Sequence, residues 1–533
     1  MRVCSKIAAS LFVIFTTASI AFPSVPPQET APGKPKLGGT LRVKPFNDVF
    51  QPSLDPAVET HFFLLEQLYD GLVRLDKNFN IIPSLAEYWV ISDGGKKITF
   101  YLRKGVKFHH GRELTSDDVK FSLERLVQKK TGLLYYQYFI TKVSGAEEFR
   151  EGKSPGVAGF KALDRYTFEI DWTDPYVSGL YLLSMSFCKV LPKELVESQG
   201  KGFFGKPSGT GAFKFGYWLR DSRLNIIGIR LERNDDYFDE LPYLDAVEYS
   251  PSFTLEQFMA GNVHVVPLRS DSLASAPYQV LENDSLDIVL LGMSCSIGPL
   301  DRKDVRQALA LALDKSKIAQ AALSLESTTR VIDNYIPPDL PGFFPLEGAG
   351  GADLEKARRL LAEAGFPAGQ GFPDLSIYFT FPRGEAQNRL FREIRDRLED
   401  LGIRPVMKYF RSLEELKSLT VPHLVIIEWL MDYPDAENII FPLFQSRSLL
   451  NKMYMGYSNS VLDRLLGASE IESSWEKRIE LFRQMERILL EDVPAVPLYR
   501  IKRCLAVQPF VRGVKAPPLG NYILDVRDVW LDK

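Results

Sequence analysis

Apolar and polar positions alternate along Leu37-Gly38-Gly39-Thr40-Leu41-Arg42-Val43, and a period of two predicts a strand. The same alternation returns where Ile98, Phe100 and Leu102 interleave with Thr99, Tyr101 and Arg103, a half-buried strand that turns at Gly105. Elsewhere the period lengthens. Thr115-Ser116-Asp117-Asp118 has the form of a capping signal, and Val119, Leu123 and Leu126 behind it share one helical face. Asp304 opens a second helix through Val305, Ala308, Leu309 and Ala312. Asp353 opens a third through Leu354, Ala357, Leu360 and Leu361, closed by Gly365. Leu390, Ile394, Leu398 and Leu401, ended by Gly402, predict a fourth helix; Ile479, Phe482, Met485 and Leu489, ended before Pro494, predict a fifth. Arg389, Arg392, Glu393 and Asp396 fall between the apolar positions of the fourth and read as a solvated face. Strands and helices mix throughout, which gives an α/β class with several sheets.

The first residues follow a different pattern. Arg2 and Lys6 are basic, Ile7 to Ile20 carries no charge, and Ser19-Ile20-Ala21 offers small residues for cleavage, the layout of a secretory signal peptide over residues 1–21. The apolar part falls short of the ~20 residues a membrane-spanning helix needs. Cys4 lies in the basic region and no Cys stands at the cleavage point, so a free periplasmic protein is expected rather than a lipid-anchored one. Residues 22–36, rich in Pro, Gly, Gln, Lys and Glu, read as a flexible tether.

Composition narrows the function. A chain of 533 residues exceeds what one hydrophobic core serves, so two or more lobes are expected. A net charge of −3 gives no reason to expect nucleic acid as a partner. Cys188, Cys295 and Cys504 follow the cleavage point. Their odd number leaves at least one thiol unpaired, and their wide spacing suits buried small residues, with one disulfide as the alternative.

Catalytic signatures are missing: there is no GxSxG, HExxH, Walker-type loop or GxGxxG after a strand, so no catalytic residue is assigned. Ser208-Gly209-Thr210-Gly211-Ala212-Phe213 reads as a turn leading into a strand. Of five histidines only His109 and His110 are close in sequence, and neighbours on a strand face opposite ways, so no metal or cofactor is expected. The acid pairs Asp117-Asp118 and Asp235-Asp236 suit capping and solvation. The stretch VPHLVIIEWLMDYPDAENIIFPLFQ, residues 421–445, stands apart. Leu424 to Ile427 reads as a buried strand, and Glu428, Trp429, Asp432, Tyr433, Asp435 and Glu437 follow it. A carboxylate at the end of a buried strand, beside Trp and Tyr, is placed to receive a ligand cation. Capping of the next helix by Asp432 explains it equally well.

The motifs, read in order, resemble the solute-binding proteins of peptide, dipeptide and nickel ABC importers, extracellular solute-binding protein family 5. They are SLDPA at 53–57, EQLYDGLVRLD at 66–76, the long run from Ile81 to Leu126, GTGAFKF at 209–215, LERNDDYF at 231–238, DVRQALALALDKSKI at 304–318, DLEKARRLLAEAGF at 353–366, WLMDYPDAEN at 429–438 and DVPAVPLY at 492–499. The resemblance implies a two-lobed periplasmic-binding-protein fold, large and type II-like, with an inserted subdomain and two hinge crossovers. Lobe I would comprise 37–78, 205–288 and a C-terminal return over 498–533, in which Tyr522 to Trp530 reads as a strand. The insert would span 79–204 and lobe II 289–497. By the same resemblance Asp432 receives a peptide's ammonium, Trp429 and Tyr433 flank the cavity, and Glu59-Thr60-His61-Phe62 contacts ligand backbone. Tyr499 stands at the second crossover. Lys107-Phe108-His109-His110-Gly111 corresponds to a structural strand motif, with His110 replacing an acid. The function implied is capture of peptides by a monomer that docks on membrane ABC permease subunits. The alternatives are a non-peptide solute on the same scaffold (nickel chelate, haem, oligosaccharide or opine) and, more remotely, a secreted hydrolase.

Overall fold

Eleven strands form the main sheet. In chain order they are β1 (Thr40–Val43), β2 (Phe213–Arg220), β3 (Ile226–Arg233), β4 (Ala246–Tyr249), β5 (Val265–Pro267), β6 (Gln279–Met293), β7 (Thr328–Val331), β8 (Ser376–Phe379), β9 (Val406–Tyr409), β10 (His423–Trp429) and β11 (Ala495–Val507). Their spatial order is β9-β8-β10-β6-β11-β5-β1-β4-β3-β2, with β7 added beside β11. This computed structural model describes residues 34–45, 53–58, 62–76, 78–129, 137–268, 278–322, 328–346, 351–380, 384–515, 519 and 525–533. Residues Lys36–Lys533 make one compact unit; of the stretch before them only Lys34 and Pro35 are described, so the proposed leader lies outside the described residues.

Two long strands carry the sheet from one half to the other. β6 runs antiparallel to β11, and its register shifts between Asp284 and Ile288. Beyond that break, β6 pairs with β10, from Ile288 opposite Trp429 to Met293 opposite Leu424. A separate antiparallel sheet of four strands, in the order Ala86–Ser92, Lys97–Leu102, Thr167–Asp171, Phe160–Asp164, lies in the 79–204 segment.

Three of the apolar clusters among the described residues follow this layout. One gathers Leu41, Leu64, Phe213, Val247, Val265 and Val507 around β1 to β5. A second joins Val289, Leu309, Ile377, Leu398, Leu424 and Leu498. The third begins under the four-stranded sheet with Phe100, Leu123 and Phe168 and continues unbroken into Phe441, Phe482 and Leu489.

The predicted helices are present. Ser116–Val127 starts as its capping signal requires: the Thr115 N–H donates to the Asp118 carboxylate at 2.9 Å. Leu354–Glu363 is capped by Asp353, which accepts the Lys356 N–H at 2.9 Å. Glu385–Glu399 and Trp475–Asp492 complete the set. The helix at Asp304 spans Lys303–Ala312, so Asp304 sits inside its first turn, paired to Arg302 at 2.6 Å.

Two expectations need correction. Residues 525–529 are not a strand, because the Asp525 carboxylate accepts the Arg527 N–H at 3.0 Å and turns the chain. Only Trp530–Leu531 pairs, with Val511–Arg512; residues 522–524 lie outside the description. His109 and His110 sit in a turn closed by pairing of Lys107 with Glu113, not on a strand.

The turn before β2 has a tight packing reason for its glycines. A Cβ on Gly209 would lie 1.9 Å from the Leu68 carbonyl oxygen, and one on Gly211 would lie 2.3 Å from that of Gln67. Cys188, Cys295 and Cys504 are all unpaired, and burial pushes the Cys295 thiol up to about 12.

Candidate functional site

β10 is hydrogen-bonded on both sides, antiparallel to β6 and parallel to β8, so Leu424 to Ile427 are buried on both faces. The strand ends at Trp429, and the chain then turns through Asp432 into the helix Glu437–Phe444. The backbone is pinned on either side of Asp432. The Met431 N–H donates to the Asp287 carboxylate at 3.0 Å, and the Asp432 N–H donates to Asn438 Oδ1 at 3.1 Å. Asp287 is wholly buried and lies in the irregular stretch of β6. The start of the helix is served by another acid, since Asp435 Oδ1 accepts the Glu437 N–H at 2.9 Å. Asp432 itself is half-buried.

The structure brings Trp429, Asp432 and Tyr433 into one short segment. Trp429 is half-buried and packs beside the third apolar cluster. Tyr433 is wholly buried and stacks on Tyr181, with centroids 6.0 Å apart and planes 13° apart. Tyr499 lies in register with Val289, whose other neighbour is Glu428. Tyr499 belongs to the second cluster with Val289, Leu291 and Ile426, whereas Trp429 packs beside the third. Glu59, Thr60 and His61 lie outside the described residues; of Phe62 only the backbone is described, at the start of the helix Phe62–Leu68.

Four buried polar atoms in this segment have no hydrogen-bond partner: Trp429 Nε1, Tyr433 Oη, Glu437 Oε2 and Asn438 Nδ2. Burial holds the Tyr433 hydroxyl well above its ordinary pKa. Buried polar groups are almost always partnered, so these atoms leave hydrogen-bonding capacity for ordered water or, at Trp429 Nε1 three residues before Asp432, for a polar ligand.

Sequence reasoning missed the charged groups behind the segment. Arg478 contacts both Asp435 oxygens, at 2.5 and 3.1 Å, and donates to Ser178 Oγ at 2.8 Å. Lys142 Nζ lies 3.4 Å from Glu437 and 2.6 Å from Glu470, over the ring of Tyr176 at 4.1 Å. Tyr176 donates its O–H to Glu437 Oε1 at 3.0 Å. Burial raises Asp435, with Arg478 partly offsetting it, and burial likewise raises Glu470, with Lys142 offsetting. Asp435 and Glu437 stood in the conspicuous 421–445 stretch, but nothing in the sequence links Glu470, Lys142 or Ser178 to them.

His109 and His110 have separate hydrogen-bond partners. His109 accepts the Gly209 N–H at Nδ1, 3.1 Å, and donates from Nε2 to the Gly211 carbonyl, 3.0 Å. His110 meets Ser208 and Glu194. Among the described residues no group of His, Cys, Asp or Glu is arranged to hold a metal ion.

A mixed α/β sheet crossed by two long strands, with an acid and aromatic rings delivered to the end of a buried strand, defines a binding protein of the periplasmic type. The chain belongs to the bacterial extracellular solute-binding proteins, family 5, whose middle-region model matches residues 80–450. It is 27% identical over 500 residues to the dipeptide-binding protein of Escherichia coli, covering 89% of this chain and 91% of that one. It is also 27% identical over 499 residues to heme-binding protein A of Haemophilus influenzae, covering 88% of each. Among solved structures, the periplasmic binding protein DppA of Helicobacter pylori, in complex with the peptide STSA, superposes with a TM-score of 0.77 at 24% identity, over 93% of this chain and 99% of that one.

Proposed function

We propose that this protein captures short peptides in the periplasm, as a monomer, and hands them to the membrane subunits of an ABC importer. Residues 37–78, 205–288 and 498–533 form one lobe, which carries the 79–204 insert, and residues 289–497 form the other. The hinge lies in β6 and β11, where the register shifts at Asp284–Ile288 and again at Val289–Leu290. Asp432 receives the peptide's ammonium, Trp429 and Tyr433 shape the cavity beside it, and Glu59 to Phe62 meet the ligand backbone from the opposite lobe.

The observation that carries this reading is the Asp432 segment. Its backbone is fixed by Asp287 and Asn438. A rigidly presented carboxylate in a closing, low-dielectric cleft is what an ammonium group rewards. The peptide-binding relatives favour the same solute. The heme-binding relative keeps a non-peptide ligand as the second reading, because the scaffold does not fix the solute.

Native mass spectrometry of the gently purified protein tests both. A ladder of peptide-sized adducts is expected, and Asp432→Ala should strip it by weakening binding by about 2–5 kcal/mol. A single discrete non-peptide mass, or adducts indifferent to Asp432→Ala, would reject peptide capture or the ammonium anchor respectively.

A further inference from the structure

The 79–204 insert meets the 433–478 region through charged groups. Lys142 reaches across to Glu437 and Glu470, and Ser178 receives Arg478. The Val177 N–H donates to the Glu470 carbonyl at 2.9 Å, and Tyr138 packs on Phe441 at 5.8 Å. We propose that Lys142 and Ser178 are the insert's half of a clasp that forms when the lobes close, that the closed clasp holds one extra proton, and that it thereby helps set affinity for solute from outside the binding pocket. This rests on the two-lobe closure described above.

The charges do not balance. Two cations, Lys142 and Arg478, face three carboxylates, Asp435, Glu437 and Glu470. Lys142, Asp435, Glu437 and Arg478 are each under a tenth exposed. The remaining titratable neighbours, Tyr176 and Tyr433, are held protonated by burial and supply no positive charge. Glu437 Oε2 has no hydrogen bond, and Arg478 Nη2 stands 3.8 Å from it. An uncompensated buried carboxylate is costly, and one proton shared among the acids removes the excess. Burial raises Asp435 and Glu470, in agreement with that proton.

With the lobes apart, Asp435 and Glu470 meet water and lose the burial that raises them. Closure then binds a proton that the open form lacks. The closed-to-open ratio therefore rises as pH falls, by up to about tenfold per pH unit.

Small-angle scattering of the full chain, stripped of solute by unfolding and refolding, tests this at about pH 5.5 and about pH 8. The radius of gyration should shrink at the lower pH. Glu470→Gln, which removes the excess charge, should hold the chain more closed at both and flatten the difference. Lys142→Met should open it at both. If Lys142→Met does not fold, Ser178→Ala serves in its place, with a smaller opening expected. A radius of gyration that is the same at both pH values, or whose change is the same in wild type and Glu470→Gln, overturns the clasp. Because no solute is present, this outcome is separate from the fate of the peptide reading: adducts may be absent while scattering responds, or the reverse.

Discussion

Two of the joints between the insert and the rest of the molecule are of opposite construction. At the first, His109 meets the turn before β2. Its N–H donates to the Gly209 carbonyl at 2.8 Å, its Nδ1 accepts the Gly209 N–H, and its Nε2 donates to the Gly211 carbonyl. Both ring nitrogens and the backbone N–H of that histidine are satisfied, no net charge is buried, and the glycines of the turn let it pack against Gln67 and Leu68. At the second joint, around Glu437, charges are unbalanced and polar atoms are orphaned. Neutral, saturated contacts suit a joint that stays made. Charged, incompletely satisfied contacts are less costly to open, because water can take over what the partner supplied.

The largest effect should come from the first joint. Gly209→Ala drives a Cβ into the Leu68 carbonyl, and urea unfolding should show a loss of about 5 kcal/mol, or no folded protein at all. A midpoint like that of the wild type would mean the turn shifts freely and the joint is soft. Next, at the second joint, Asp435→Ala leaves Arg478 buried without its main partner and should cost about 3–4 kcal/mol in the same measurement. A cost below about 1 kcal/mol would mean that water already reaches Arg478.

The smallest effect concerns acid, and it sharpens the contrast. Burial depresses the His109 imidazole to about 4 from an ordinary 6.5. The unfolded chain binds the proton first, so this contribution is complete above about pH 6.5 and is lost as pH falls toward 4. It amounts to ~3 kcal/mol at most. His109→Gln, which keeps a donor and an acceptor, should flatten the stability profile across that window. An unchanged slope would place the titration elsewhere. The first joint thus loosens in acid while the clasp tightens.

The features legible in the sequence were local ones. Thr115 with Asp118, Asp353 with its first turn, and the all-apolar run of β10 each announce themselves within a few residues. The Asp432 segment was legible because an acid and two aromatics beside a buried strand are unusual neighbours. The turn at Asp525 was missed because its apolar alternation outweighed an aspartate that bonds its own backbone. The clasp was illegible for a different reason: 295 residues separate Lys142 from Glu437, and a lysine at position 142 looks like any other surface lysine. Arg478 likewise sits in an ordinary amphipathic helix, and only the fold turns it inward.

β11 lies between β6 and β5 in the sheet, yet it is built from residues 495–507, close to the end of the chain. As the polypeptide emerges from the ribosome, neither half of the sheet can close over its centre until those residues arrive. The partners β5 and β6 must wait with exposed edges for more than two hundred residues of synthesis. Such long-range pairing is slow to nucleate, which keeps the nascent chain threadable for as long as possible. A chain ending just before Ala495 would lose its keystone as well as one strand, and both halves would be left as aggregation-prone open edges.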